Sequence, residues 1–370
     1  MKQFLLLLCW TLLRANEEKF IPIHLFSTIE GPLCMTIRFD EDGSDCFFIS
    51  LLLNHLMVRQ VKKNFDSTTQ KIIEIDNKKI KSSLLTSKIS LDINNEDCLI
   101  ENLPYYHRHH DQDFVYNYFP LTYYMEDEKF SIIHYLYNHN KIKNLGFGVF
   151  YNDYVLYLGE ISKSRVIDSY SFIYNYTIPI NETQKTWGCT LNQIQIGNYS
   201  QIINDYVRFE TSLNYLYVPE KFWHSLKKDV LEPIFGNGTQ INDNEFRISK
   251  QSIKGFPVVN ITLGGIDFKF ESNDIFECVF DHCIFIMRLD KSSGNQWIFG
   301  DKFLKKYFTF FSYSKKSITF YSKDILTYNK KFLISNNYSI YLIIVISIIC
   351  FSQIGILAFQ VIFGRKSIIE

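Results

Sequence analysis

The chain has 370 residues, 39 acidic against 39 basic side chains, and 16% aromatic residues. That length makes one large domain or two lobes, and electroneutrality argues against nucleic-acid binding, which needs clustered excess Lys and Arg against phosphate. Tyr, Phe and Ile are abundant while alanine is nearly absent, which favours strands over helices.

Taken in order, Met1-Lys2 precedes a short apolar run reaching Leu13. A positive start and a short apolar core read as a secretory signal cleaved near Ala15, the alternative being a retained anchor. Residues 20–26 read as a first strand. After the turn at Gly31-Pro32, Met35, Ile37 and Phe39 alternate with Thr36 and Arg38, the period of a half-buried strand. Ile133, Leu136 and Tyr137 have helical spacing, and strands are expected at 147–151 and 155–158. Residues 167–180 and 187–196 are strand-like. Phe222, Leu226 and Val230 fit a helix after Pro219. Late strands are expected at 256–259 and 261–270, then at 307–313 and 317–321, split by the turn-like Ser314-Lys315-Lys316.

Residues 341–363 are apolar apart from Ser347, Ser352, Gln353 and Gln360. About 20 such residues are what a bilayer requires. Arg365 and Lys366 follow at once, which puts the tail in the cytosol and the body in a lumen or outside the cell. Lys330 and Lys331 on the other flank weaken the charge argument, so the signal decides the orientation. Eight cysteines are present, of which Cys9 and Cys350 fall in the two apolar ends. The six in the body, at 34, 46, 98, 189, 278 and 283, suit disulfides in an oxidising compartment; Cys278 and Cys283, flanking a short loop, are the first candidate pair. No CxxC pair points to zinc, and His107-Arg108-His109-His110 reads as a solvated loop before a metal site. Six N-x-S/T sequons, at Asn175, Asn181, Asn198, Asn237, Asn260 and Asn337, fit a luminal body.

The segment 295–321 organises the body. Trp297-Ile298-Phe299-Gly300-Asp301-Lys302-Phe303-Leu304, followed by Tyr307-Phe308, resembles the C-terminal block of pepsin-like aspartic proteases, W-I/L-hydrophobic-G-D-x-F-L/M-x-x-Y-Y/F. Residues 130–161 are similar to that family's helix and following strand pair, and Trp187 to Gly197 matches its W-x-I/V-x-L/M strand ending in glycine. The resemblance runs in pieces from about residue 20 to 321. It implies an all-β, bilobal pepsin-like aspartic protease fold with a central cleft, to which the apolar C-terminus adds a transmembrane helix. The expected division is 1–16 signal peptide, 17–165 N-terminal lobe, 166–328 C-terminal lobe, 329–340 stalk, 341–363 membrane helix and 364–370 cytosolic tail. The implied partners are a polypeptide substrate or peptide ligand and the membrane, with no cofactor and no metal.

Each lobe of that family carries one D-T-G turn and one hydrophobic-hydrophobic-glycine strand that supports it. Phe39-Asp40-Glu41-Asp42-Gly43-Ser44 resembles the first turn, with Asp40 as the family carboxylate and Asp42 in the glycine place. A one-residue shift would give that role to Glu41. Phe209-Glu210-Thr211-Ser212-Leu213 resembles the second turn, with Glu210 replacing Asp. The implied catalytic pair is Asp40 and Glu210, with Thr211, Ser212 and Asp42 at the substrate side. The supporting strands are Ile298-Phe299-Gly300, intact, and Val115-Tyr116-Asn117, its glycine gone.

Aspartic-protease chemistry needs two facing carboxylates that share one proton, one acting as acid and one as base. Glu is one methylene longer than Asp, a displacement of roughly 1 Å that can cost on the order of a hundredfold in rate. Three acidic groups on the first turn would be costly to bury, so that turn is expected to be open to solvent. The stretch 74–87, where the family has its flap tyrosine, contains neither Tyr nor Gly, and almost no room precedes the first strand for an inhibitory propeptide. A pseudoprotease that holds extended peptide without cutting it is the favoured expectation. An active membrane-anchored endopeptidase using a divergent Asp40/Glu210 dyad is the alternative.

Overall fold

The structure is a computed structural model that describes residues 21–27, 33–39, 43–50, 57–58, 70–75, 78–91, 99–108, 117–123, 131–151, 153–161, 166, 174–236, 240–242, 244–289, 296–329 and 331–332. The expected signal peptide and the apolar stretch 341–363 lie outside these. Among the described residues no helix is long and apolar enough to cross a membrane.

Strands dominate. A six-stranded sheet runs in the order Ile21–His24, Val155–Leu158, Gly146–Phe150, Phe308–Ser312, Ser317–Ser322, Tyr174–Pro179. It draws strands from both halves of the chain. Phe147, Phe311, Trp187, Tyr123 and Tyr313 close over it with ring centroids 4.8–6.4 Å apart, the spacing of favourable edge and offset contacts. The buried Trp187 indole N–H donates to the Leu121 carbonyl at 2.7 Å, and the Tyr313 hydroxyl donates to the Thr122 carbonyl at 2.9 Å. These two bonds pin residues 121–122 to the second half of the chain.

Two eight-stranded sheets contain a common unit of five strands. In the first half it is Leu33–Phe39, Gly43–Ser50, Asn117–Pro120, Met57–Val58 and Leu99–Arg108; in the second it is Gly188–Ile196, Tyr199–Phe209, Trp297–Phe299, Leu216–Val218 and Met287–Leu289. The pairing senses agree strand by strand: antiparallel, parallel, antiparallel, parallel. The registers agree too. Tyr118 faces Phe48 on one side and Met57 on the other; Ile298 faces Arg208 and Tyr217. The interval from 48 to 57 equals that from 208 to 217, so Phe48, Met57 and Tyr118 are the counterparts of Arg208, Tyr217 and Ile298. This two-fold echo is hidden from composition and periodicity.

Helices are few and short. Ile132–Asn138 starts at Ser131, whose side chain accepts from the His134 N–H, and buries Ile132, Ile133 and Leu136. Glu220–Leu226 begins after Pro219 and continues through a π-helical turn, Lys227–Leu231, into Glu232–Phe235. Both were expected, as were the strands beside them. Cys278 and Cys283 are paired across the hairpin of Phe276–Val279 and His282–Phe285, as their spacing predicts, while Cys189 is a buried thiol. His107 and Arg108 end a strand and do not belong to a loop, the difference being that this strand runs parallel to Met57–Val58 up to His107. His109 and His110 lie outside the described residues.

Replacing Trp187 by Phe keeps the ring packing but leaves the buried Leu121 carbonyl without its donor. Stability is expected to fall by about 1–3 kcal/mol, read as a lower urea midpoint at unchanged slope.

Candidate active site

Glu210 follows the last residue of strand Tyr199–Phe209, which pairs in parallel with Trp297–Phe299. Its N–H donates to the Phe299 carbonyl at 3.0 Å. This strand end lies beside the fully buried Trp297–Phe299, and Glu210 is only 2% exposed. Its Oε1 accepts from the Ser212 N–H at 3.0 Å and from Ser212 Oγ at 2.8 Å, and its Oε2 accepts from Ser50 Oγ at 3.3 Å. A buried carboxylate requires such donors.

The turn is held by the block that follows it. Gly300 N–H donates to the Tyr215 carbonyl at 3.0 Å, Asp301 N–H to the Leu213 carbonyl at 2.7 Å, and Lys302 N–H to the Asn214 carbonyl at 3.0 Å. A Cβ at Gly300 would lie 2.2 Å from the Leu213 carbonyl oxygen, so only glycine lets these backbones meet. The intact Ile298-Phe299-Gly300 strand thus supports the second turn as the sequence implies. Behind it, Arg288 stacks on the Tyr215 ring with its guanidinium carbon 3.3 Å from the centroid, and the Tyr215 hydroxyl donates to Glu277 at 3.0 Å. Burial pushes the Glu277 carboxyl up, but its bonds from Lys302 and Tyr215 outweigh this and hold it below the usual range.

The position facing Glu210 is decided by register. Ile49 pairs with Phe119 and Ser50 with Pro120, just as Phe209 pairs with Phe299. Ser50 is therefore the counterpart of Glu210, and Pro120 that of Gly300. The Ser50 hydroxyl reaches Glu210 directly, and the buried Thr211 hydroxyl donates to the Ile49 carbonyl at 2.7 Å, tying the two strand ends together. Asp40, Glu41 and Asp42 lie outside the described residues, in the connection between Leu33–Phe39 and Gly43–Ser50. Phe39 and Gly43 are already paired there, and the seven steps from Gly43 to Ser50 carry the chain about 23 Å along an extended strand. Among the described residues, the place opposite Glu210 belongs to Ser50. The supporting strand of the first half is likewise Tyr118-Phe119-Pro120, three residues beyond the expected Val115-Tyr116-Asn117. Val115 and Tyr116 lie outside the described residues.

The eukaryotic aspartyl protease family model matches residues 119–323, more than half of the 370-residue chain. The chain belongs to the eukaryotic aspartyl protease family. Its fold is similar to that of the aspartic proteinase from Irpex lacteus, with a TM-score of 0.65 over 85% of this chain and 99% of that one, at 11% sequence identity. No curated protein sequence matches the chain.

In sequence the second strand end continues as Glu210-Thr211-Ser212 and the first as Ser50-Leu51-Leu52. Thr211 and Ser212, expected at the substrate side, instead serve the turn: one bridges to Ile49 and the other holds Glu210. Sequence reasoning does not single out Ser50, because Phe39-Asp40 and Ser44 carry the family spelling. What points to it is the equal nine-residue interval between the two residues that pair with the central strand, 48 and 57 in the first half and 208 and 217 in the second.

Two further buried groups lie under this region. Burial pushes the Asp301 carboxyl up to about 6, against the pull of Lys305, whose ammonium is 3.1 Å from Oδ2 but off the line of a directed hydrogen bond. Burial, then the charges of Asp301 and Glu210, push the Tyr151 hydroxyl well above its ordinary value.

Two outcomes are expected. Thr211→Val removes the donor to a buried carbonyl and costs about 1–3 kcal/mol, while Thr211→Ser retains most of the stability. Asp301 has a folded pKa above its ordinary 3.8, so the native state binds the extra proton between these values. Stability therefore falls as pH rises from about 4 to about 6, by on the order of 3 kcal/mol, and is level above; Asp301→Asn flattens that slope in pH-dependent unfolding.

Proposed function

We propose that this member of the aspartyl protease family binds extended polypeptide in the cleft between its two halves and does not hydrolyse it. The observation that carries the reading is Ser50 at the counterpart position of Glu210. Family chemistry uses two carboxylates at these places, so that one holds a proton while the other draws one from the attacking water. A serine hydroxyl has no accessible anionic state at acidic pH and cannot take the second role. Here it donates to the Glu210 carboxylate and occupies one of the acceptor positions at which a catalytic water would bind.

An active endopeptidase with an Asp40/Glu210 dyad is less well supported, because it needs Asp40 at the position that the strand register gives to Ser50. Peptide-binding folds of this kind hold ligands by β-type pairing along a strand edge, and the hairpin of Gln70–Ile75 and Lys78–Ser90 is placed in the stretch where the family has its flap. We further propose a single-pass type I membrane protein of the secretory pathway or cell surface. Residues 1–16 would be its signal, 341–363 its span, and the body would be luminal or extracellular. The apolar ends of the sequence support this.

The test is incubation of the full chain in detergent with a peptide library at pH 4–6. Peptides are expected to be retained without cleavage. Turnover that Glu210→Ala abolishes would overturn the reading, as would failure to retain any peptide.

A further inference from the structure

We propose that the chain carries N-linked glycans at Asn181 and Asn198, and not at Asn175 or Asn260. The inference rests on the secretory topology proposed above and is independent of whether the cleft binds or cuts peptide. All four are N-x-S/T sequons, so the triplet alone does not separate them. Their surroundings do.

Asn181 opens the short 3-10 turn Glu182–Gln184. Its Oδ1 accepts from the Thr183 N–H at 3.2 Å and from Thr183 Oγ1 at 2.7 Å, while its Nδ2 has no hydrogen-bond partner among the described residues. Residues 182–185 are exposed. Here the sequon hydroxyl is spent on the sequon's own carboxamide. Donation to Oδ1 draws charge from the amide and makes the Nδ2–H more acidic, which helps a poor nucleophile. The arrangement is local, an Asx-type turn that needs no distant partner, so the chain can form it before the domain is complete. Asn198 is exposed and, with Gly197 at φ +56°, forms the two-residue connection between Gly188–Ile196 and Tyr199–Phe209. Ser200 is exposed as well, and its Oγ accepts from Gln193 Nε2, which leaves its own proton free to donate.

The other two lie inside strands. Asn260 is in Val259–Leu263, paired on both sides, and Thr262 is buried with its hydroxyl donated to Asp267 at 2.6 Å. Asn175 is in Tyr174–Pro179, paired with Ser317–Ser322, and the Thr177 hydroxyl is 2.9 Å from that of Thr319. In both cases the sequon hydroxyl is engaged by the fold and the backbone by a ladder.

The co-reactant is a lipid-diphosphate-linked oligosaccharide. Nδ2 attacks its anomeric carbon, and the C–N bond forms as the bond from that carbon to the diphosphate oxygen breaks. The lipid diphosphate leaves with the electron pair, and the amide proton passes to a carboxylate of the transferring enzyme.

The test is peptide mapping of the full chain isolated from its own cells, after amidase deglycosylation in heavy-oxygen water, which tags each formerly glycosylated Asn as labelled Asp. Tags are expected at Asn181 and Asn198, with Asn175 and Asn260 unmodified. Thr183→Ala is expected to abolish the tag at Asn181 alone, and Thr183→Ser to keep it. External protease on sealed vesicles reports the topology in parallel. A protected body without tags at Asn181 and Asn198, or with tags at Asn175 or Asn260 instead, overturns this inference while the topology stands. A body digested from outside overturns both.

Discussion

The parallel pairing of 207–209 with Trp297–Phe299 is the constraint on which the rest of the site depends. It fixes where the strand ends, and so where Glu210 begins. A slip of one residue would send every side chain to the opposite face. The pairing also brings Gly300 under the 213–215 backbone, where three successive N–H groups, from 300 to 302, satisfy three successive carbonyls. The turn is therefore determined by main-chain bonds, and side-chain identity within it can change without moving it. That is how Glu210 and Ser212 are both accommodated.

The two residues support one another. Glu brings an extra methylene into a closed space, and Ser212 supplies two donors to the displaced carboxylate. Across the pseudo-two-fold, Ser50 donates to Glu210. A pair of buried carboxylates stores electrostatic strain, and catalytic sites commonly trade stability for such strain. The contact between Ser50 and Glu210 carries a hydrogen bond and no such repulsion. Asp301, by contrast, is a buried acid, and the 301–305 segment keeps a titrating group beneath the Glu210 turn.

Much of the second half was legible in the sequence. Trp297-Ile298-Phe299-Gly300, the helix after Pro219 and the strand pairs at 146–158 and 308–322 follow from apolar period, proline and glycine, which act locally. Glu210 was found because Thr211 and Pro219 keep their family spacing. The first half was not legible in the same way. Its strand end, Ser50, is followed in sequence by Leu51-Leu52 and reads as the continuation of an apolar run, whereas Asp40-Glu41-Asp42-Gly43 resembles the family turn in spelling and falls between two paired strands. What separates them is pairing between residues some 70 positions apart, Ser50 with Pro120, which no local pattern encodes.

Pro120 has a consequence for the charge that position 50 can carry. Where Gly300 donates its N–H and leaves room for a neighbouring backbone, proline has neither the proton nor the space. A carboxylate at position 50 would stand beside Glu210 and Pro120, so it would add repulsion with no N–H from residue 120 to offset it. Charge at position 50 therefore acts first on the stability of the strand end that Ser50 ties to Glu210.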